Sequence, residues 1–193
     1  MPVERRRGFS STVVPMNELA SILRSLESDD FGKGVLATLV EVQGSSYRRP
    51  GARLLRTASG ERVGSISGGC LEEDVMAHAV RVDVSGRAEL LEYDTTSEND
   101  LVWGVGLGCH GVVHVLLEPV RARPGWAIRV GENLKARVDT EIAVVWKSDS
   151  PDLLGTRLAS DLPKGNAPGT SIFRQTIAPP PSLYIFGAGD DAQ

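Results

Sequence analysis

Two cysteines stand in glycine-rich turns, where a thiol can come close to a ligand. Cys70 follows Gly68 and Gly69 in "GSISGGCLEEDV", and Cys109 lies within "GVGLGCHG". A cysteine that only fills a core is expected inside an apolar run, and neither residue has such neighbours. These two turns, which hold the only cysteines of the sequence, are the first candidates for chemistry.

The turn at Cys70 comes directly before a pattern typical of a helix. A helix N-terminus offers free N–H groups and the positive end of the helix dipole, which favour a thiolate and bind anions. Glu72, Glu73 and Asp74 follow in the first turn and would repel negative charge. A small buried cysteine in a tight strand-to-helix turn is therefore the alternative interpretation.

The turn at Cys109 contains glycine at every second position before the cysteine. So many glycines cost chain entropy, which indicates a bulged strand entry or the close approach of a ligand. His110 follows, but neighbouring side chains on an extended chain point to opposite faces, so we do not expect Cys109 and His110 to bind one ligand together. Two cysteines without C-x-x-C spacing make a poor zinc set, and we expect no metal site.

A third segment, "GSSYRRPGARLL", combines hydroxyl and guanidinium groups with glycines. It contributes Ser45, Ser46, Arg48, Arg49 and Arg53. These side chains suit a phosphate or an oxygen-rich cofactor. Solvated arginines are the plain alternative.

Composition excludes several classes of protein. The 193-residue sequence is 41% hydrophobic and 24% charged, which is typical of a globular protein. A net charge of −4 and a pI near 5.4 argue against a nucleic-acid surface. We see no membrane span and no export signal, so we expect a cytoplasmic protein with reduced thiols.

Hydrophobic periodicity predicts an α/β fold, a mixed sheet with flanking helices. Helices are predicted within "PMNELASILRSLES", after "SGGC" and, more weakly, in "WAIRVGENLKARVD". Strands are predicted in "GVLATLVEV", in the hairpin "ARLLRT" and "RVGSIS", and in "AELLEYD", "VVHVLLEPV" and "EIAVVWKS".

The sequence divides into four parts. We expect a flexible tail over 1–15, one domain over 16–177 and a proline-rich linker over 178–182. Residues 183–193, "LYIFGAGDDAQ", fit the opening strand and G-x-G-x-x-A turn of a Rossmann-type domain. The helix that would hold a pyrophosphate is absent from the sequence, so binding of NAD(P) or another nucleotide is expected only with a further domain.

Taken in order, "GSSYRRPGARLL", "VGSISGGCLEEDV", "DLVWGVGLGCHGVVHVLLEP" and "LYIFGAGDDAQ" resemble the XdhC/CoxI family. The resemblance implies a two-domain accessory factor of xanthine and carbon monoxide dehydrogenases, a cofactor chaperone rather than a catalyst. Such a factor binds molybdenum cofactor (molybdopterin), assists its sulfuration and inserts it into the apo molybdenum hydroxylase. A cysteine desulfurase is then a further partner, no nucleic acid or membrane is involved, and a homodimer stays open.

The resemblance also carries over a set of cofactor-binding positions. They are Gly44, Ser45, Ser46, Arg48, Gly51, Gly68, Gly69, Cys70, Gly108 and Cys109. Tyr47 stands where the family often has proline, and His110 stands where a glycine usually follows the cysteine.

Two other functions fit the residues. The G-x-G-x-x-A turn suits a fragment of an NAD(P)-dependent oxidoreductase, with the cysteine turns on the substrate side. Alternatively, the glycine loops serve packing only, and the surface docks a dehydrogenase or a sulfurase without binding cofactor.

Overall fold

The computed structural model describes residues 16–94, 111–163, 169–182 and 184. Its α-helices in these ranges are α1 (Met16–Glu27), α2 (Glu72–Ser85) and α3 (Gly125–Ala136). The strands are β1 (Lys33–Gly44), β2 (Arg53–Thr57), β3 (Arg62–Ser65), β4 (Glu89–Asp94), β5 (Gly111–Arg121), β6 (Thr140–Lys147), β7 (Gly155–Leu158) and β8 (Ser171–Ile177). Every helix and strand that periodicity predicts within these ranges is confirmed.

The strands form two sheets. One has the order β3-β2-β1-β5-β4 and the other the order β7-β6-β8. Every pairing between the described strands is antiparallel. The α/β class with flanking helices is confirmed, but in place of one mixed sheet there are two antiparallel ones. The reason is that α2 joins β3 and β4, which lie at opposite edges of the first sheet, so it crosses the face without making neighbouring parallel strands.

β1 is buried on both faces, because a layer packs on each side of it. Val35, Ala37 and Leu39 share one apolar cluster with the stripe of α2 that includes Val75 and Val82. On the other face, Leu36 packs with residues of α1 and α3, and Val40 packs with β6 of the second sheet. The first sheet therefore lies between α2 and a layer made of α1, α3 and the second sheet.

A β-bulge interrupts β1 just before its polar end. The register with β5 shifts by one residue between Leu39 and Glu41, so the ladder passes over Val40. Glu41 consequently pairs with His114 on the face that meets the second sheet, and Val42 packs against the α2 cluster. The bulge thus directs the carboxylate of Glu41 away from the apolar core.

Most residues at the two ends of the sequence lie outside the described ranges. The expected tail over 1–15 lies outside the described residues, and of 183–193 only Tyr184 is described, with an exposed side chain. The predicted loop 95–100 and residues 101–110 also lie outside them. No helix in the described ranges is long and apolar enough to cross a membrane.

Candidate functional site

A cleft of about 670 Å³ opens between the polar end of β1, the loop that follows it, and β8. Its apolar lining comes from both sheets and consists of Val40, Val42, Pro50 and Phe173. Its polar lining consists of Glu41, Ser45, Ser46, Arg48, Arg49 and Arg174. The cleft is therefore apolar at its base and mainly cationic in its charged groups. The segment "GSSYRRPG" forms one wall of it.

Arg48 is held by a carboxylate of the first helix. Its Nη2 lies 2.8 Å from Oε1 of Glu18 and its Nη1 lies 3.3 Å from Oε2, a two-point contact between half-buried side chains. Such a fork fixes the direction of the guanidinium as well as its charge. The positive charge of Arg48 is thereby balanced within the protein.

Arg49 and Arg174 differ from Arg48 in this respect. Both side chains are exposed and line the cleft, one from the loop and one from β8. No ion pair joins either of them to another residue of the described ranges. The carboxylate that lines the cleft, Glu41, lies 3.3 Å from Nδ1 of His114.

The loop ends in a glycine whose position is fixed by both sheets. Gly51 donates its N–H to the carbonyl of Leu39 at 2.8 Å and has φ +99°, in the left-handed region. A Cβ added to it would lie 2.8 Å from Nε2 of Gln175 in β8. Nη1 of Arg53 donates to both the Gly51 carbonyl and Oε1 of Gln175, each at 2.8 Å. Arg53 therefore ties the loop wall of the cleft to the β8 wall.

This use of Arg53 differs from the sequence-based expectation that it faces a ligand. The side chain is only 2% exposed and does not line the cleft. Burial lowers the pKa of Arg53 to about 10, although the nearby carboxylate of Glu118 opposes that shift. Burial likewise raises the pKa of Glu118, against the hydrogen bonds that it accepts from Thr156. Periodicity predicts that Arg53 lies in a strand, but it does not show which side chains Arg53 contacts.

The turn before Cys70 is organised by Glu72 and by Ser67, and the sequence patterns did not predict this role for either residue. The carboxylate of Glu72 accepts hydrogen bonds from the Ser65 hydroxyl at 2.9 Å, the Ser67 N–H at 2.9 Å, the Ile66 N–H at 3.3 Å and the Ser67 hydroxyl. Ser67 Oγ in turn accepts the N–H groups of Gly69 and Leu71, at 3.1 and 3.2 Å. Fewer N–H groups of this turn are then left for an anion than a bare helix start would offer. The signal in the sequence was the position of Glu72, three residues before Val75 on the buried stripe of α2.

Burial alone would raise the pKa of Glu72, which is only 8% exposed. The hydrogen bonds from Ser67 and Ser65 outweigh burial, so the pKa lies below the ordinary value. The carboxylate is therefore a charged, internal part of the turn. The other two acids of the first turn have different contacts, since Glu73 pairs with Arg62 and Asp74 accepts the hydroxyl of Tyr93.

The structure places the loop beside the cysteine turn but leaves Cys70 outside the cleft. A Cβ on Gly68 would lie 3.4 Å from the ring of Tyr47, so the loop covers this turn with an aromatic side chain that is itself 74% exposed. Cys70 is a free, half-buried cysteine packed against the α2 cluster. Neither Tyr47 nor Cys70 lines the cleft. The loop thus contacts the turn through Tyr47 and lines the cleft with its serines and arginines.

The second cysteine turn reaches the same end of the sheet through its last glycine. Gly111 begins β5 and pairs with Gly44 at the end of β1. A Cβ on Gly111 would lie 2.5 Å from the Ser45 carbonyl oxygen and 2.7 Å from that of Gln43, so only glycine fits. Gly108 and Cys109 lie outside the described residues. What the structure gives is a close backbone approach between the start of β5 and the loop.

The sequence of this chain is similar to sequences of known proteins. Residues 31–94, which run from β1 through the loop and the cysteine turn to the end of β4, match the model of the XdhC and CoxI family. Residues 31–94 belong to the XdhC and CoxI family. Among its relatives is a Bacillus subtilis (strain 168) protein named as a probable subunit of xanthine dehydrogenase, 35% identical over 84% of this chain and 55% of that protein.

Two further relatives extend this assignment. The molybdenum cofactor insertion chaperone PaoD of Escherichia coli (strain K12) is 34% identical over 53% of this chain and 32% of that protein. The crystal structure of a xanthine dehydrogenase from Bacillus halodurans has a TM-score of 0.63 at 30% identity, covering 84% of this chain and 53% of that one. The chain spans about half the length of the Bacillus subtilis relative. The resemblance stated from the four motifs is confirmed.

Proposed function

We propose that this chain binds molybdenum cofactor and takes part in the maturation of a molybdenum hydroxylase, as a chaperone and not as a catalyst. The observation that carries the proposal is the cleft, where the family's glycine-serine-arginine loop meets an arginine of the second sheet. The relative named as a molybdenum cofactor insertion chaperone supports it. Sulfuration of the cofactor by a cysteine desulfurase and its transfer to an apo molybdenum hydroxylase are further parts of the proposal.

The residues of the cleft fit this cargo. A molybdopterin combines a phosphate, a planar heterocycle and a soft metal centre. The guanidinium groups of Arg49 and Arg174 and the serine hydroxyls suit the phosphate, and the apolar base suits the heterocycle. The volume of about 670 Å³ lies within the roughly 300–1,000 Å³ of small-molecule sites.

The proposed site combines three segments. The loop supplies Gly44, Ser45, Ser46, Arg48 and Gly51, the first cysteine turn supplies Gly68, Gly69 and Cys70, and the second supplies Gly108 and Cys109. The thiol of Cys70 is the group of the described ranges that suits a soft metal. Because the turn that contains Cys70 contacts Tyr47 through Gly68, and Cys70 does not line the cleft, we assign Cys70 to the edge of the site and the arginines to its cavity.

Cofactor retention tests the proposal. Purified wild type, Cys70→Ala and Cys109→Ala would be loaded with molybdenum cofactor under anaerobic, reducing conditions and passed through a desalting column. Retained molybdenum and pterin are then measured. We expect wild type to retain both and Cys70→Ala to retain less, and Val84→Ala, an exposed substitution on α2, serves as the control.

Other outcomes would contradict this function. Wild type that retains no cofactor contradicts it outright. Turnover of NAD(P) would favour an oxidoreductase fragment. Partner capture that survives loss of both cysteines, with no pterin bound, would favour a docking module.

A further inference from the structure

The three arginines that line the cleft differ in whether they have an ion pair, and this difference indicates where the phosphate of the cofactor binds. Arg48 already has its carboxylate in Glu18, whereas Arg49 and Arg174 project from opposite walls without an ion pair to any described residue. From this juxtaposition we propose that Arg49 and Arg174 form the subsite for the phosphate ester of the cargo, and that Arg48 is a positioning residue. The inference rests on the proposed function and deepens it.

The charges facing the cleft support an anion at this place. Arg49 and Arg174 contribute two positive charges, and Glu41 contributes one negative charge, 3.3 Å from Nδ1 of His114. The pair Arg48–Glu18 adds no net charge. A phosphate monoester carries close to two negative charges near neutral pH, so it suits the guanidinium groups of Arg49 and Arg174 better than any neutral part of the cargo does.

The scaffold fixes the backbone that carries each of the two arginines. The carbonyl of Arg49 accepts a hydrogen bond from the N–H of Ala52 at 3.2 Å, and this bond closes the turn that contains Arg49. Arg174 precedes Gln175, whose side chain is tied through Arg53 to the Gly51 carbonyl. The same buried arginine therefore fixes the backbone of both walls, so binding of a doubly charged ligand between them requires ordering of the two arginine side chains and not of the walls.

Ser45 and Ser46 line the same cavity, and the backbone of Ser45 lies against Gly111 at the start of β5. A phosphate bound between the walls would leave the apolar base, formed by Val40 and Phe173 among others, to the planar part of the cargo. This orientation follows from which charges are already balanced.

The first test compares single variants of exposed arginines. Arg49→Gln, Arg174→Gln and the double variant would be measured for molybdenum cofactor retention beside Arg121→Gln, an exposed arginine at the opposite end of β5 from Gly111. We expect each single variant to lower the affinity about tenfold or more, the double variant to lower it further, and Arg121→Gln to have no effect. Far-UV circular dichroism should be unchanged in all four.

Competition by inorganic phosphate at constant ionic strength identifies the group that is held. Phosphate should displace cofactor from wild type, and this competition should disappear in the double variant, while chloride at equal ionic strength should do neither. Retention by Arg49→Gln and Arg174→Gln equal to that of Arg121→Gln, or no competition by phosphate, would overturn the subsite and leave the proposed function standing. A wild type that retains no cofactor would overturn the proposed function itself.

The second test separates positioning from direct binding at Arg48. If Arg48 only holds the loop, Arg48→Gln and Glu18→Gln both remove the same contact and should weaken retention by a similar, small factor. If Arg48 instead binds the cargo, Glu18→Gln frees its charge and should tighten retention while Arg48→Gln weakens it. Opposite signs for these two variants would overturn the positioning role.

Discussion

Replacing Glu72 by glutamine probes the turn before Cys70 with almost no change of shape. The carboxylate is buried and accepts four hydrogen bonds, three on Oε1 and one, from the Ser67 hydroxyl, on Oε2. Glutamine can keep a neutral oxygen at the Oε1 position. Its NH₂ group would then face a hydroxyl that already accepts two N–H groups and now has no acceptor for its own proton.

The cost can be worked from these contacts. Hydrogen bonds to a charged group contribute about 1.5–3 kcal/mol each and neutral ones about 1 kcal/mol, and a buried donor without an acceptor costs about 1–3 kcal/mol. Because bonds to one carboxylate are not additive, we expect Glu72→Gln to lower the free energy of unfolding by about 2–3 kcal/mol at neutral pH. For a chain of this size, that corresponds to a fall in Tm of about 5–10 °C.

The loss of stability caused by Glu72→Gln should depend on pH. The pKa of Glu72 is lowered in the folded protein, so its contribution is present above the ordinary glutamate pKa of 4.5 and is lost as the pH falls through the folded value. The difference between wild type and Glu72→Gln should therefore be constant well above pH 4.5 and shrink as the pH falls below it. Below the folded pKa of Glu72, wild type carries a protonated carboxyl that resembles the amide.

Urea unfolding followed by tryptophan fluorescence at several pH values measures this difference. Glu73→Gln is the matched control, since Glu73 is the next residue of α2 and is 82% exposed in its side chain. That control should change the free energy of unfolding by less than about 0.5 kcal/mol. A loss below about 0.5 kcal/mol for Glu72→Gln, or a loss that does not vary with pH, would refute the account of this turn.

Three other predictions use the same unfolding assay. For Glu118→Gln the pH trend should be the reverse. Burial raises the pKa of Glu118, so wild type loses stability relative to the variant as the pH rises through the folded pKa of Glu118. The same trend as for Glu72→Gln would contradict this. Gly111→Ala should cost about 2 kcal/mol or more and lower cofactor retention, because its Cβ would meet the backbone of the cleft loop, and full retention would show that the loop adapts. Gly34→Ala should cost a similar amount, since the Cβ would meet the Arg56 carbonyl, whereas Gly125→Ala, which meets open space at the start of α3, should change stability by less than about 1 kcal/mol.

Local pattern was enough to find the elements. The stripe from Leu71 to Val82 predicts α2, and its buried members are the ones that periodicity selects. The division into two antiparallel sheets was not foreseen, because alternation along a strand gives its faces but not its partners. The loop and the cysteine turn were both chosen as candidates from their residue types, and Tyr47 brings them into contact.

The partners of charged side chains could not be obtained in this way. Arg48 and Glu18 are 30 positions apart, and Arg53 and Gln175 are 122 apart, so their pairing depends on how the layers pack. Arg174 has no feature in its own neighbourhood that distinguishes it from a solvated strand residue. Its place in the cleft follows only from the packing of β8 against the end of β1.

The bulge in β1 gives the strand two phases of side-chain alternation. Before Leu39, odd-numbered residues face α2; after Val40, even-numbered ones do. A regular ladder that included Val40 would give β1 a single phase and turn Glu41 toward the apolar cluster. Removing Val40 would instead abolish the bulge and leave Glu41 and Val42 on their present faces. A one-residue insertion or deletion in the first half of β1 therefore turns the side chains on one side of it to the opposite face of the sheet. The strand can change length without this effect only at the bulge.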